Sequence, residues 1–309
     1  MSAPEGLRIA VLGCGRWGRL IVDDLISLGA AVHVVDPDPA AQLSARQRSA
    51  TASASIDGCE RVDAVVIATP ASGHAIDIES VAELGVPIAC EKPLTTSAAA
   101  AKRTLDTVGD RLTVLHVWRY HHGVERLRRL IEEGALGDVA LLRTNRTNWT
   151  SPRTDVDPVW TLLPHDLSIA VELFGEAPSP VDAVVEQIDD RAVGIWAHCV
   201  TSAGVPCIFE ASTRYERRQR TIRVHGDQAV AVLDPDAATL ELYSGLAGEP
   251  VRTAIPYDPA PALCRELHAF LDHVAGGPPP KTSGAEGVAV VAAVEQTLTI
   301  ARQPGGGPR

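Results

Sequence analysis

Residues 8–18, R-I-A-V-L-G-C-G-R-W-G, constrain the fold of this chain more than any other stretch. A short apolar run leads directly into G-x-G-x-x-G. Trp17, Ile21, Leu25 and Leu28 then recur at helical spacing, and Gly29 stops the pattern. A strand, a tight turn and a helix are therefore predicted in succession. The three glycines have separate tasks. Gly13 allows the turn, Gly15 lets the backbone approach a pyrophosphate, and Gly18 lets the helix pack close to the strand. The free N–H groups and positive dipole end of that helix favour the charge of a dinucleotide.

Strand and helix go on alternating through residues 1–119. Strands are predicted at 31–36, 62–68, 86–91 and 112–118, mostly as continuous apolar runs, which fits strands covered on both faces. One intervening helix carries Ile78, Val81 and Ala82 and stops at Gly85; another carries Ala98, Ala101 and Leu105 and stops at Gly109. This pattern predicts a doubly wound parallel sheet, a Rossmann-type dinucleotide-binding domain. Ligands of such sheets bind beyond the carboxyl ends of the strands. The polar residues expected there are Asp36, Thr69-Pro70, Glu91-Lys92-Pro93 and Arg119-Tyr120. A carboxylate at Asp36 accepts hydrogen bonds from ribose hydroxyls and repels a 2′-phosphate, so NAD is favoured, while Arg16 keeps NADP open. Asp36-Pro-Asp-Pro39 also reads as turn sequence.

Residues 120–309 read differently. A helix through Val124, Leu127, Leu130 and Ile131 ends at Gly134. Strands follow at 139–146, 181–188, 193–200, 207–213, 221–225, 229–233 and 240–243, with a hairpin turn at Ser202-Ala203-Gly204. Short connections imply a mainly antiparallel sheet and a second α/β domain. A helix is expected at 166–173, which places His165 at its start. Two more helices close the chain, the second opened by a capping box of Ser283 and Glu286. The tail 304–309 is expected to be disordered.

Composition narrows the partners. The net charge of −11 argues against a nucleic-acid or anionic-membrane surface, and no apolar run is long enough to span a bilayer. The first residues carry no basic region or cleavage pattern, and the six scattered cysteines form no C-x-x-C pair, so a reduced, cytoplasmic protein is expected. His121-His122 has no third ligand at a suitable spacing, and no metal is expected. Arg214, Arg217, Arg218, Arg220 and Arg223 form a basic run, read as a solvated loop or subunit contact, with a nucleotide-diphosphate sugar as the alternative partner. Asn145, Asn148, Trp149 and Arg153 are expected on or beyond a strand, in a loop that covers substrate, and Trp160 either stacks on a sugar ring or fills the core.

Seven stretches together resemble the Gfo/Idh/MocA family of oxidoreductases over nearly the whole chain. They are GCGRWG at 13–18, VVIATPASGHA at 65–75, CEKPL at 90–94, GALGDV at 134–139, LLPHDLSIAVELFG at 162–175, VHGDQAVAVLD at 224–234 and the closing ELHAFLDHVAGGPPPKTSGAEG. The resemblance implies a small-molecule substrate, namely a ring alcohol or ketone of a sugar, nucleotide-sugar or cyclitol. It also implies a large open sheet with one face buried by another subunit, hence a homodimer or homotetramer.

The same resemblance implies that Gly13, Cys14, Gly15, Arg16, Trp17, Gly18, Asp36, Thr69, Pro70, His74, Glu91, Lys92 and Arg119 hold the cofactor. Lys92, Tyr120, Asn148, Trp160, Thr161 and His165 then face substrate. Lys92 is the expected general acid/base, since a partly desolvated lysine beside a cationic nicotinamide is disfavoured as an ammonium. Pro93 is read as able to hold a cis bond that aims it. His165 matches the histidine that contacts the reacting hydroxyl or carbonyl. Many relatives carry aspartate four residues before that histidine, where this chain has Thr161. The departure leaves Lys92 as the main proton carrier. It also keeps open reduction of an imine or C=C bond, or a non-catalytic dinucleotide sensor.

Overall fold

The computed structural model describes residues 6–59, 61–149, 155–245 and 248–302. The chain divides into two compact units. One runs to Val117 and takes in Pro261–Val291; the other comprises Trp118–Ala260 and the residues from Ala292 on. The boundary expected from sequence lay at 119/120, with everything after it in one block; by contacts, 261–291 lies with the first unit.

The first unit opens β1 (Arg8–Leu12), α1 (Arg16–Ser27), β2 (Ala31–Val35), α2 (Pro39–Gln47), β3 (Thr51–Ser53), β4 (Ala64–Ile67), α3 (His74–Val81), β5 (Ile88–Glu91), α4 (Ala98–Val108) and β6 (Leu112–Leu115). The six strands pair in parallel in the order β3-β2-β1-β4-β5-β6. Strand order reverses beside β1, so the glycine loop leaves the sheet at its topological switch point. β4, β5 and β6 are buried at every position, as their unbroken apolar runs require.

Two elements of this unit escaped the sequence reading. α2 lacks a strong apolar stripe and is started instead by its cap, with Asp38 accepting from the Ala40 N–H at 2.9 Å and Pro39 in the first turn. β3 is too short to show a period. The fifth expected strand also ends early, at Leu115, because Val117–Tyr120 turns into a 3-10 helix.

The second unit contains α5 (His122–Glu132), β7 (Val139–Thr147), α6 (Pro158–Phe174), β8 (Ser179–Ile188), β9 (Arg191–Val200), β10 (Pro206–Ser212), β11 (Gln219–Gly226), β12 (Ala229–Asp234), β13 (Thr239–Ser244) and β14 (Val251–Ala254). These eight strands form one sheet ordered β14-β13-β12-β11-β7-β10-β9-β8. Only β7 and β10 pair in parallel; the other pairs are antiparallel. α6 lies against β7, β9 and β10, and α5 packs on α6 and β12. Leu142, Thr144 and Arg146 of β7 alternate inward and are buried, as are Ile222 and Val224 of β11.

α6 corrects the expectation of a short helix beginning beside His165. It starts at Pro158, runs through Pro164 and places His165 in its interior. A proline inside a helix removes a hydrogen bond and costs ~3 kcal/mol. The helix persists because nearly all its residues, Val159, Leu163, Leu167, Ile169 and Ala170 among them, are buried, so tertiary packing overrides the local breaker.

The closing helices are α7 (Ala262–Val274) and α8 (Gly284–Ala301). α7 buries Leu267, Phe270 and Leu271 in the core that α1 and β1 share. The capping box forms at α8: the Ser283 N–H donates to Glu286 Oε2 at 2.9 Å and the Glu286 N–H to Ser283 Oγ at 3.2 Å. All six cysteines are free, with Cys14, Cys90, Cys199 and Cys207 buried. Arg153 and the tail 304–309 lie outside the described residues.

Candidate active site

The glycine loop sits between the end of β1 and the start of α1. Gly13 has φ +91°, and a Cβ there would meet the Thr69 backbone nitrogen at 2.9 Å. A Cβ on Gly18 would collide with the Gly13 carbonyl. Gly15 is different: nothing lies within 4 Å of its Cβ position. It is the N-cap of α1 and offers no side-chain cap, and the first turn has no acidic residue. Free helix N–H groups with open space above them suit a pyrophosphate oxygen. The loop therefore fits a dinucleotide.

Its neighbours are fixed by hydrogen bonds. The Cys14 N–H donates to Asp36 Oδ2 at 2.8 Å, and Asp38 N–H to Asp36 Oδ1 at 2.9 Å. Asp36 thus ties the glycine loop to the turn after β2 and retains lone pairs for ribose hydroxyls. Burial pushes the Cys14 thiol up, so it stays protonated. Trp17 Nε1 donates to Glu91 Oε1, and Glu91 Oε2 accepts from the Lys92 N–H at 3.2 Å. Glu91 is 3% exposed. Arg16 is exposed at the head of α1.

His74 joins two further strand ends. Its Nδ1 lies 2.8 Å from the Pro93 carbonyl oxygen and its Nε2 3.0 Å from that of Thr69. The ring is fully buried. Thr69 Oγ1 donates to Asp77 Oδ2 of α3. The Lys92–Pro93 peptide bond is cis, and Lys92 itself is half-buried. In this unit the structure brings the glycine loop, Asp36, Thr69, His74, Glu91 and Lys92 to the carboxyl ends of β1, β2, β4 and β5.

The second unit gathers a different set. The Trp118 ring stacks on His121 at 5.2 Å and meets His165 edge-on at 6.4 Å; His121 lies 5.7 Å from Tyr257. His121 caps α5, accepting from the Gly123 N–H at 3.1 Å. Arg146 contributes its guanidinium over the Trp118 ring at 4.6 Å and a two-bond pair to Asp166, at 2.9 and 3.2 Å. Burial pushes the Asp166 carboxyl up, against the pull of Arg146 and Thr144.

Helical spacing places Thr161 one turn before His165. Its hydroxyl donates to the Pro158 carbonyl at 2.8 Å, so this position brings no carboxylate to the histidine. Trp160 and Tyr120 are buried. Arg119 donates through Nε to Glu172 Oε2 at 3.1 Å. Asn148 follows β7 and takes part in backbone bonds with Ser212 and Tyr215. Trp149 is 57% exposed, with Arg214 over its ring.

Trp118, Tyr257, Arg146 and Asp166 were not among the expected site residues, and Arg220 was expected only as one member of the basic run. A period-two signal pointed to one of them: in L-L-R-T-N-R-T, Arg146 shares the inward phase of Leu142 and Thr144. An inward arginine on a central strand requires a partner.

Comparison with known proteins identifies the family. A model of an oxidoreductase family with an NAD-binding Rossmann fold matches residues 7–118, and a model of the Gfo/Idh/MocA C-terminal domain matches residues 124–232. The chain is 28% identical to inositol 2-dehydrogenase of Rhizobium meliloti (strain 1021), covering 94% of this chain and 96% of that protein. It is 29% identical to UDP-N-acetylglucosamine 3-dehydrogenase of Acidithiobacillus ferrooxidans, with the same coverages. A solved structure of the latter enzyme superposes with a TM-score of 0.84 at 26% identity, over 96% of this chain and 98% of that one. Levoglucosan dehydrogenase in complex with NADH shares the fold, with a TM-score of 0.86 at 20% identity over 96% and 97% of the two chains. This chain belongs to the Gfo/Idh/MocA family of oxidoreductases, whose N-terminal domain is an NAD-binding Rossmann fold.

Proposed function

We propose that this protein is an NAD-dependent dehydrogenase or ketoreductase that acts on a ring CH–OH group of a sugar, nucleotide-sugar or cyclitol. The observation that carries this reading is the Trp17–Glu91–Lys92 arrangement, which anchors the lysine to the cofactor loop. The relatives act on inositol and on UDP-N-acetylglucosamine by their names, and both match nearly end to end. NAD is favoured over NADP because Asp36 places a carboxylate at the end of β2.

When bound, the nicotinamide exchanges a hydride with substrate. Lys92 takes the hydroxyl proton as an alcohol is oxidised and returns it when a ketone is reduced. His165 orients the reacting oxygen by hydrogen bonding, and Tyr120, Asn148 and Trp160 complete the substrate contacts. Thr161 supplies no carboxylate to a relay. That same feature supports a second reading, reduction of an imine or C=C bond on this fold.

A homodimer or homotetramer is proposed on the outer face of the large sheet, where Val184 is exposed opposite the half-buried Trp196. The cytoplasm is the proposed compartment, given six free thiols.

The reading is tested by following NADH formation at 340 nm with myo-inositol, UDP-N-acetylglucosamine and levoglucosan, alongside NADH-driven reduction of a cyclic imine. Turnover of a ring alcohol is expected. Turnover of the imine alone overturns the reading in favour of the second.

A further inference from the structure

The register of β7 and β11 sets Arg220 directly opposite Arg146. Like charges facing one another across a strand pair are destabilising, so such a pair needs compensation. Arg146 has it: Asp166, 1% exposed, grips its guanidinium through two hydrogen bonds. That carboxylate is thereby used. Asp236 is engaged as well, 2.8 Å from Arg218. Among the described residues, no carboxylate lies within ion-pair distance of Arg220. Burial lowers Arg220 to about 10, Arg146 and Arg218 push in the same direction, and Asp236 and Asp166 pull weakly against them. The fold therefore holds a half-buried guanidinium that Asp236 and Asp166 offset only in part and that has no ion pair of its own among the described residues. A partly buried charge perturbed in this way is a candidate for ligand recognition.

Its position is specific. Arg220 lies over the Trp118 ring, 5.8 Å from guanidinium carbon to ring centroid, and the same ring meets His165. A planar guanidinium fork matches the two oxygens of a carboxylate or phosphate. We propose that Arg220, backed by Arg146, is a subsite for an oxyanion carried by the substrate: the carboxylate of a sugar acid or the phosphate of an activated sugar. This rests on the dehydrogenase reading only in taking the ligand to be the substrate. Of the basic run at 214–223, Arg220 is the member assigned to recognition, while Arg218 is paired on the surface.

The test is equilibrium binding to the NADH-loaded protein by titration calorimetry, with inorganic phosphate, glucuronate and glucose as probes at matched ionic strength. One anion is expected to bind at least ~10-fold more tightly than glucose, worth ~1.4 kcal/mol. Which anion does so distinguishes phosphate from carboxylate. Arg220→Gln should erase the preference, Arg220→Lys should restore part of it, and NADH affinity should not change. A structural arginine would lower the melting temperature when replaced; here Arg220→Gln should leave it equal or raise it, because the repulsion with Arg146 is relieved. Equal or absent binding of all probes to the wild type, or an anion preference that survives in Arg220→Gln, overturns the proposal. A loss of NADH affinity or of melting temperature in that variant does so too. Turnover is not read, so failure of the dehydrogenase reading is a separate outcome.

Discussion

Glu91 accepts a hydrogen bond from the indole of Trp17, so the last residue of β5 is tied to the first turn of α1. The same carboxylate receives the Lys92 N–H. The proposed proton carrier and the cofactor loop are thus coupled through one buried acid. Removing the donor leaves that acid less well satisfied, which costs about 1–3 kcal/mol. Trp17→Phe is expected to lower stability in urea by that amount and to weaken NADH binding. Unchanged values for both would break the link.

The glycines separate geometry from ligand binding. At Gly18 an added methyl meets the Gly13 carbonyl, whereas at Gly15 it meets open space. Gly18→Ala should therefore destabilise the fold. Gly15→Ala should keep the wild-type melting temperature but lose at least ~10-fold in NADH affinity, since its methyl fills the approach to the helix N–H groups. Thermal denaturation and NADH fluorescence titration separate the two variants. Equal loss of stability in both would contradict the assignment.

Asp36 accepts from the Cys14 and Asp38 N–H groups, leaving its charge beside the loop. Asp36→Asn keeps an acceptor but removes the repulsion toward a 2′-phosphate. The ratio of kcat/KM for NAD to that for NADP is expected to fall by at least ~10-fold, a change of ~1.4 kcal/mol. A constant ratio would remove Asp36 from cofactor selection.

Burial lowers His225 from its ordinary range, with Arg223 and Arg143 adding to the effect. Its native form resists protonation, while an unfolded histidine takes a proton near pH ~6.5. Stability from the neutral ring is therefore complete above that pH and is lost as pH falls toward the native value. The wild type should melt at lower temperature as pH drops from about 7.5 to about 5.5, and His225→Gln should flatten the slope over that window. An unchanged slope would refute the assignment.

Much of this was legible in the sequence, for identifiable reasons. The glycine loop, the buried parallel strands and the capping box at Ser283 are local patterns, and local chemistry sets them. The start of α6 was not legible, because Pro164 is a breaker by local rules and only burial on every side keeps it helical. The Arg146–Asp166 pair and the Arg220 position depend on the register between β7 and β11 and on the helix above them. Such contacts join residues distant in sequence and leave no short motif. The clustering of Trp118 with His121 and His165 is hidden for the same reason.

The central claim is that Lys92 moves the proton while the glycine loop and Asp36 carry most of the cofactor's binding. Lys92→Ala should bind NADH within ~3-fold of wild type, a difference of ~0.7 kcal/mol. Its turnover of whichever ring alcohol the wild type oxidises should fall by at least ~100-fold. A variant that binds NADH normally and keeps more than ~10% of the wild-type rate, a barrier change below ~1.4 kcal/mol, would contradict the account.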